Sequence, residues 1–181
     1  MSKNKNLQAI RTLTLSAMLV ALSVLFSSYA KAIPDTYLRF SFENLPILFG
    51  AILFGPLQGC AIACAADIIS CTLIGGYAPN PILMIGIATV GLTAGTISRL
   101  AGEKRFHPIW LFLSVFSAHI LGNMLIKSFG LYYMGQLPAL IFIPLQRVPL
   151  YLMIGTLEYT ALLLLFKNTT VRKMALGRMK K

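Results

Sequence analysis

Apolar residues run through this chain in blocks longer than a soluble helix needs, and polar residues collect between them. Residues 12–30 carry no charge. At 1.5 Å per residue, about 20 apolar residues cross a ~30 Å hydrocarbon core, so this block predicts a first membrane helix over about 11–29. A polar loop with Lys31, Pro34, Asp35 and Arg39 follows. The stretch between Glu43 and Asp67 is uncharged but is broken by Gly55-Pro56, which predicts a short second helix (43–54) and a third (57–74). The run Gly75-Gly-Tyr-Ala-Pro-Asn-Pro81 reads as a loop. Further apolar blocks predict helices over 82–100, 109–128 and 138–166. The second helix reaches only ~17 Å. It must borrow length from Leu38–Phe42 or sit embedded among its neighbours.

Composition agrees with a membrane class. Hydrophobic residues make up 57% and charged residues 12%, and the mean hydropathy is +0.76, outside the range of soluble domains. The formal charge of +11 raises nucleic-acid binding as an alternative, but the positions argue against it. Lys3, Lys5 and Arg11 precede the first block. Arg99, Lys104 and Arg105 surround one short loop, and Lys167, Arg172, Lys173, Arg178, Lys180 and Lys181 close the chain. Basic clusters flanking apolar spans mark cytoplasmic segments. Two basic, cytoplasmic termini require an even number of crossings. Six spans place the Lys104 loop inside and the loops at 30–42, 75–81 and 129–137 outside. The expectation is an all-α integral membrane protein: one domain over 1–181, six transmembrane helices, cytoplasmic termini and a basic tail from 167. The first block is too long for the apolar core of a signal peptide and is expected to be retained.

Few ionisable residues interrupt the apolar blocks, and in a bilayer such residues point to function. His119, Asn123 and Lys127 stand at i, i+4 and i+8, which places them on one face of a regular helix. They read as a ligand-facing wall, with a helix–helix hydrogen-bond seam as the alternative. Arg147, Tyr151, Ile154 and Glu158 form a stripe on the last helix. Arg147 either holds a ligand carboxylate in a bidentate contact or pairs with Asp67 or Glu158. Asp67 stands alone among small residues; it either accepts hydrogen bonds from a ligand or offsets nearby cations. Arg39, Tyr77 and Asn80 in the outer loops are suited to closing over a planar ligand. Cys60, Cys64 and Cys71 share a helical face but lack a fourth ligand, so they read as small packing residues rather than a metal site.

Three small-xxx-small pairs, Ala17/Ala21, Gly55/Gly59 and Gly91/Gly95, permit close helix approach. No phosphate-binding G-x-x-x-x-G-K-[ST] loop, H-E-x-x-H motif or Ser/His/Asp arrangement occurs. No enzymatic activity, cofactor or metal is therefore expected.

With these features the chain resembles the substrate-binding S components of energy-coupling-factor (ECF) vitamin transporters. Ala17-x-x-x-Ala21, Arg39-Phe-Ser-Phe-Glu-Asn-Leu-Pro-Ile, Leu-Phe-Gly-Pro-Leu-Gln-Gly around Gly55 and Ala-Ala-Asp67-Ile-Ile are similar to the folate-type members. So are His119 to Tyr132 and Arg147-Val-Pro-Leu-Tyr-Leu-Met-Ile-Gly-Thr-Leu-Glu158. The loop at Gly75–Pro81 departs from the Gly-x-Tyr-Phe-Pro-Gly-Phe-like stretch of many members. The resemblance implies a folate-binding subunit that associates with a transmembrane coupling subunit and two cytoplasmic ATPases, which alone use ATP, and that topples in the membrane to deliver its cargo. It implies docking through Ala17 and Ala21, and residence in a bacterial plasma membrane. Folate suits the residues: pterin N–H groups for Asp67 or Asn123, a flat ring for Tyr77 or Tyr151, and glutamate carboxylates for Arg147, Lys127 and Arg39. Pantothenate or another anionic vitamin is the alternative cargo; a membrane enzyme or channel is the alternative of another kind.

Overall fold

The protein is described by a computed structural model covering residues 2–31, 42–76, 78–133, 135 and 142–168, with side chains at these positions except 2–5, 31 and 142–147. Among the described residues the chain is helical with no strand. The helices are α1 (Ser2–Lys31), α2 (Asn44–Phe54), α3 (Pro56–Gly75), α4 (Pro81–Ala101), α5 (Pro108–Tyr133) and α6 (Phe142–Lys167). Five are long and apolar enough to cross a bilayer, and α2 is the shorter one. The protein is an all-helical, multi-pass membrane protein.

Some boundaries differ from those the sequence suggests. α1 reaches back past Arg11 to Ser2, because neither Gly nor Pro interrupts that stretch. α5 runs on past residue 128 to Tyr133. The expected start of the last helix at 138 lies outside the described residues.

Gly55 separates α2 from α3 at φ 94°, a conformation that glycine adopts without strain, and Pro56 opens α3 where its missing N–H costs nothing. α2 is embedded among its neighbours, while residues 38–41, from which it could borrow length, lie outside the described residues. Ile47, Leu48, Ala51 and Ile52 are fully buried, and α2 packs against α1, α3, α4, α5 and α6. Its last turn is satisfied from outside: the Ile52 carbonyl accepts Ser98 Oγ–H at 3.1 Å and Arg105 Nη1–H at 3.2 Å. A buried guanidinium there also complements the negative end of the helix dipole. Arg105, read from sequence as one more loop cation, is thus a buried terminator of α2.

α3 and α4 meet backbone to backbone. A Cβ at Gly59 would lie 2.5 Å from Ala51 Cβ and 2.8 Å from the Gly91 oxygen, and a Cβ at Gly95 would lie 2.5 Å from Pro56. Two of the three small-xxx-small pairs are therefore used inside the fold.

α1 sits at the edge. It turns Ser16, Ser23, Ser27 and Ala30 inward and leaves Leu13, Met18, Leu25 and Tyr29 exposed. Ser23 Oγ–H donates to the Glu43 carbonyl at 2.7 Å, and Ser70 Oγ–H donates to Ser27 Oγ at 2.8 Å. Two helices carry π-helical segments, Ser70–Gly75 in α3 and His119–Ile126 in α5. Such widened turns are rare and concentrate at functional sites.

Candidate functional site

The π segment of α5 decides where its polar residues go. The even one-face stripe assumed from i, i+4, i+8 spacing requires a regular helix, which His119–Ile126 is not. The polar residues fall into two groups instead. The inner group is fully buried: His119, Asn123 and Glu158 are 1%, 1% and 0% exposed. His119 Nε2 lies 2.7 Å from Glu158 Oε2, and Asn123 Nδ2 lies 3.0 Å from His119 Nδ1. An amide N–H donating to Nδ1 leaves Nε2 to carry the proton that Glu158 accepts, an assignment made from the hydrogen-bond network. Both ring nitrogens are then engaged within the protein. Among the described residues, Asn123 Oδ1 and Glu158 Oε1 are buried acceptors with no hydrogen-bond partner, a condition that costs about 1–3 kcal/mol each and favours any donor brought to them.

The outer group centres on Lys127. Its stem passes over Gly86, where a Cβ would lie 2.6 Å from Lys127 Cγ. Its ammonium donates to Glu43 Oε1 at 3.5 Å, with the two side chains 16% and 24% exposed. Asp67 and Tyr151 also act on it electrostatically. Asp67 Oδ1 has Cys71 Sγ at 4.0 Å. The Tyr151 ring lies 5.8 Å from that of His119 at 36°, so Tyr151 bridges the two groups. Glu43 just before α2, Asp67 of α3, Lys127 of α5 and Tyr151 of α6 thus contribute to one polar cluster.

Of the residues singled out in the sequence, the structure brings His119, Asn123, Lys127, Asp67 and Tyr151 together. Asn80 is placed differently: its Oδ1 caps α4, accepting from the Ile82 and Leu83 N–H groups at 2.9 and 3.4 Å. Arg39 and Tyr77 lie outside the described residues, as does the side chain of Arg147, whose backbone is in the first turns of α6. Two partners carried no assigned site role in the sequence reading. Glu158 holds His119, and Glu43 holds Lys127. The signal for Glu43 was its position, a carboxylate at the outer end of an uncharged stretch that begins the short helix.

Ala17 and Ala21 are exposed and line a groove of about 700 Å³ between α1 and α3, together with Val20, Val24, Ala61 and Ala65. Among the described residues no group of His, Cys, Asp and Glu is arranged to hold a metal.

Residues 11–173 match the family model described as ECF transporter, substrate-specific component. No curated protein and no solved structure matches.

Proposed function

Because the chain belongs to the ECF transporter substrate-specific component family, a family of transporter subunits rather than enzymes that work with coupling and ATPase subunits, we propose that its cargo is folate. In this reading it captures the vitamin at the outer face of a bacterial plasma membrane, while the partner subunits hydrolyse ATP. The observation that carries the reading is the mixed cluster of Lys127, Asp67, Tyr151 and Asn123. Folate presents complementary chemistry: N–H donors on the pterin for Asp67 and the unpartnered Asn123 Oδ1, a flat ring for Tyr151, and carboxylates for Lys127 and Arg147. The engaged His119 lies against both Asn123 and Tyr151.

We further propose that the coupling subunit docks in the α1–α3 groove. Gly59 of α3 and Gly91 and Gly95 of α4 are buried where those helices meet, whereas Ala17 and Ala21 remain open to a partner helix.

Titration of folic acid into the detergent-purified protein tests the cargo. Saturable binding, weakened at least tenfold by Lys127→Ala, is expected. Absence of binding, with pantothenate binding instead, overturns folate. For docking, Ala17→Leu/Ala21→Leu should abolish co-purification with the coupling subunit and leave folic acid affinity unchanged. Retained assembly refutes the groove.

A further inference from the structure

Lys127 has an internal partner that any anionic cargo must meet. Glu43 reaches it from the residue just before α2, and the Glu43 backbone is itself held in place. Its carbonyl accepts Ser23 Oγ–H at 2.7 Å, and the adjoining residues Asn44, Pro46 and Ile47 are buried. Lys127 is held equally firmly, its stem lying against Gly86. The pair is largely withdrawn from solvent, at 16% and 24% side-chain exposure, so it is screened less than a surface ion pair. The 3.5 Å separation is longer than the usual charge-assisted hydrogen bond of about 2.7–2.9 Å. Such a contact is attractive, yet it leaves room for a better acceptor.

We propose that Glu43 is an internal counter-ion that determines specificity: it occupies Lys127 in the ligand-free protein, and a cargo carboxylate binds Lys127 by displacing it. The inference rests on the anionic-vitamin reading of the site. Without a ligand, Glu43 keeps a membrane-embedded ammonium from standing alone. With a ligand, it sets a threshold. A carboxylate that makes a shorter, better-aligned contact wins the exchange, whereas a neutral analogue offers no replacement charge and leaves the internal pair intact. Selectivity then comes from an opposing group already in the site as well as from attraction to the cargo. Asp67, which also acts on Lys127, keeps the local charge balanced when Glu43 swings away. Because Glu43 hangs from Ser23 of α1, the counter-ion is anchored on the helix that lines the proposed docking groove.

The test is a double-mutant cycle of the wild type, Glu43→Gln, Lys127→Met and the double variant, as purified protein in detergent. Thermal unfolding without ligand measures whether the two side chains are coupled. Folic acid and its dimethyl ester are then titrated into the wild type and Glu43→Gln. Coupling in the ligand-free cycle is expected, together with about fivefold tighter folic acid binding to Glu43→Gln and an ester affinity unchanged within about twofold. Additive ligand-free effects overturn the pairing, because non-interacting residues contribute independently. Unchanged or weaker folic acid binding to Glu43→Gln overturns the competition and makes Glu43 a direct ligand contact or a bystander. If folic acid binds neither protein, the folate reading fails by itself, and the ligand-free cycle decides the counter-ion role.

Discussion

Among the glycines inside the long helices, Gly91 and Gly155 should respond very differently to an added methyl group. At Gly91 in α4, a new Cβ would fall on the backbone carbon and oxygen of Gly59 and 2.8 Å from the Cys60 nitrogen. These are main-chain atoms of α3, so no rotamer change relieves the overlap. Restoring ordinary contact requires the two helices to part by roughly 1 Å, which also loosens Gly95 against Pro56. Overpacking of this kind costs about 1–3 kcal/mol, and backbone-on-backbone contact puts Gly91→Ala near the upper end. For a chain of this length, about 3 kcal/mol corresponds to a fall of about 6–12 °C in unfolding temperature. At Gly155 in α6, the new Cβ meets the Phe116 ring at 3.3 and 3.5 Å, and a side-chain ring can shift by the few tenths of an ångström needed. There the gain from replacing a mid-helix glycine, about 0.5–1 kcal/mol, offsets the crowding, and Gly155→Ala should unfold within about 2 °C of the wild type. Thermal unfolding in detergent, followed by size-exclusion chromatography, measures both. Equal Tm shifts for the two variants would refute the account of α3–α4 packing.

Two further outcomes follow from the buried polar contacts. Glu158→Ala leaves the buried Nε2–H of His119 without its acceptor, and an unsatisfied buried donor should cost about 1–3 kcal/mol. Replacing both, as His119→Leu/Glu158→Leu, should recover most of that loss in the same thermal assay; a double variant no better than the single refutes the pairing. Arg105→Ala should cost about 2 kcal/mol by removing a charged donor from the Ile52 carbonyl, whereas Lys104→Ala, at an exposed position of equal charge, should be neutral. Equal effects of the two would remove the end-capping role of Arg105.

The membrane class and the order of the helices were legible in the sequence because hydrocarbon thickness imposes a length that apolar blocks report directly. The Gly55-Pro56 break was legible for the same kind of reason, since both residues restrict backbone geometry locally. What escaped was whatever depends on partners remote in the chain. Lys127 and Glu43 are 84 residues apart and His119 and Glu158 are 39 apart, so spacing on one helix could not reveal that each charge is answered from another. The π segment of α5 was hidden as well. Residues 119–126 keep a helical pattern of apolar positions, so the sequence does not show the π segment in which Asn123 meets His119 while Lys127, just beyond it, meets Glu43. The small-residue pairs were visible as motifs, but only three-dimensional packing distinguishes those consumed inside the fold from the pair at Ala17 and Ala21.

The guanidinium that ends α2 ties two otherwise separate kinds of information together. Arg105 carries part of the positive charge of the short loop after α4, and it also closes the last turn of the embedded helix. Neighbouring lysines can be exchanged for any residue that preserves the sign of the loop, but this position cannot. Without Arg105 the Ile52 carbonyl keeps the Ser98 hydroxyl but loses its charged donor, so the end of the embedded helix depends on a side chain 53 residues further along the chain.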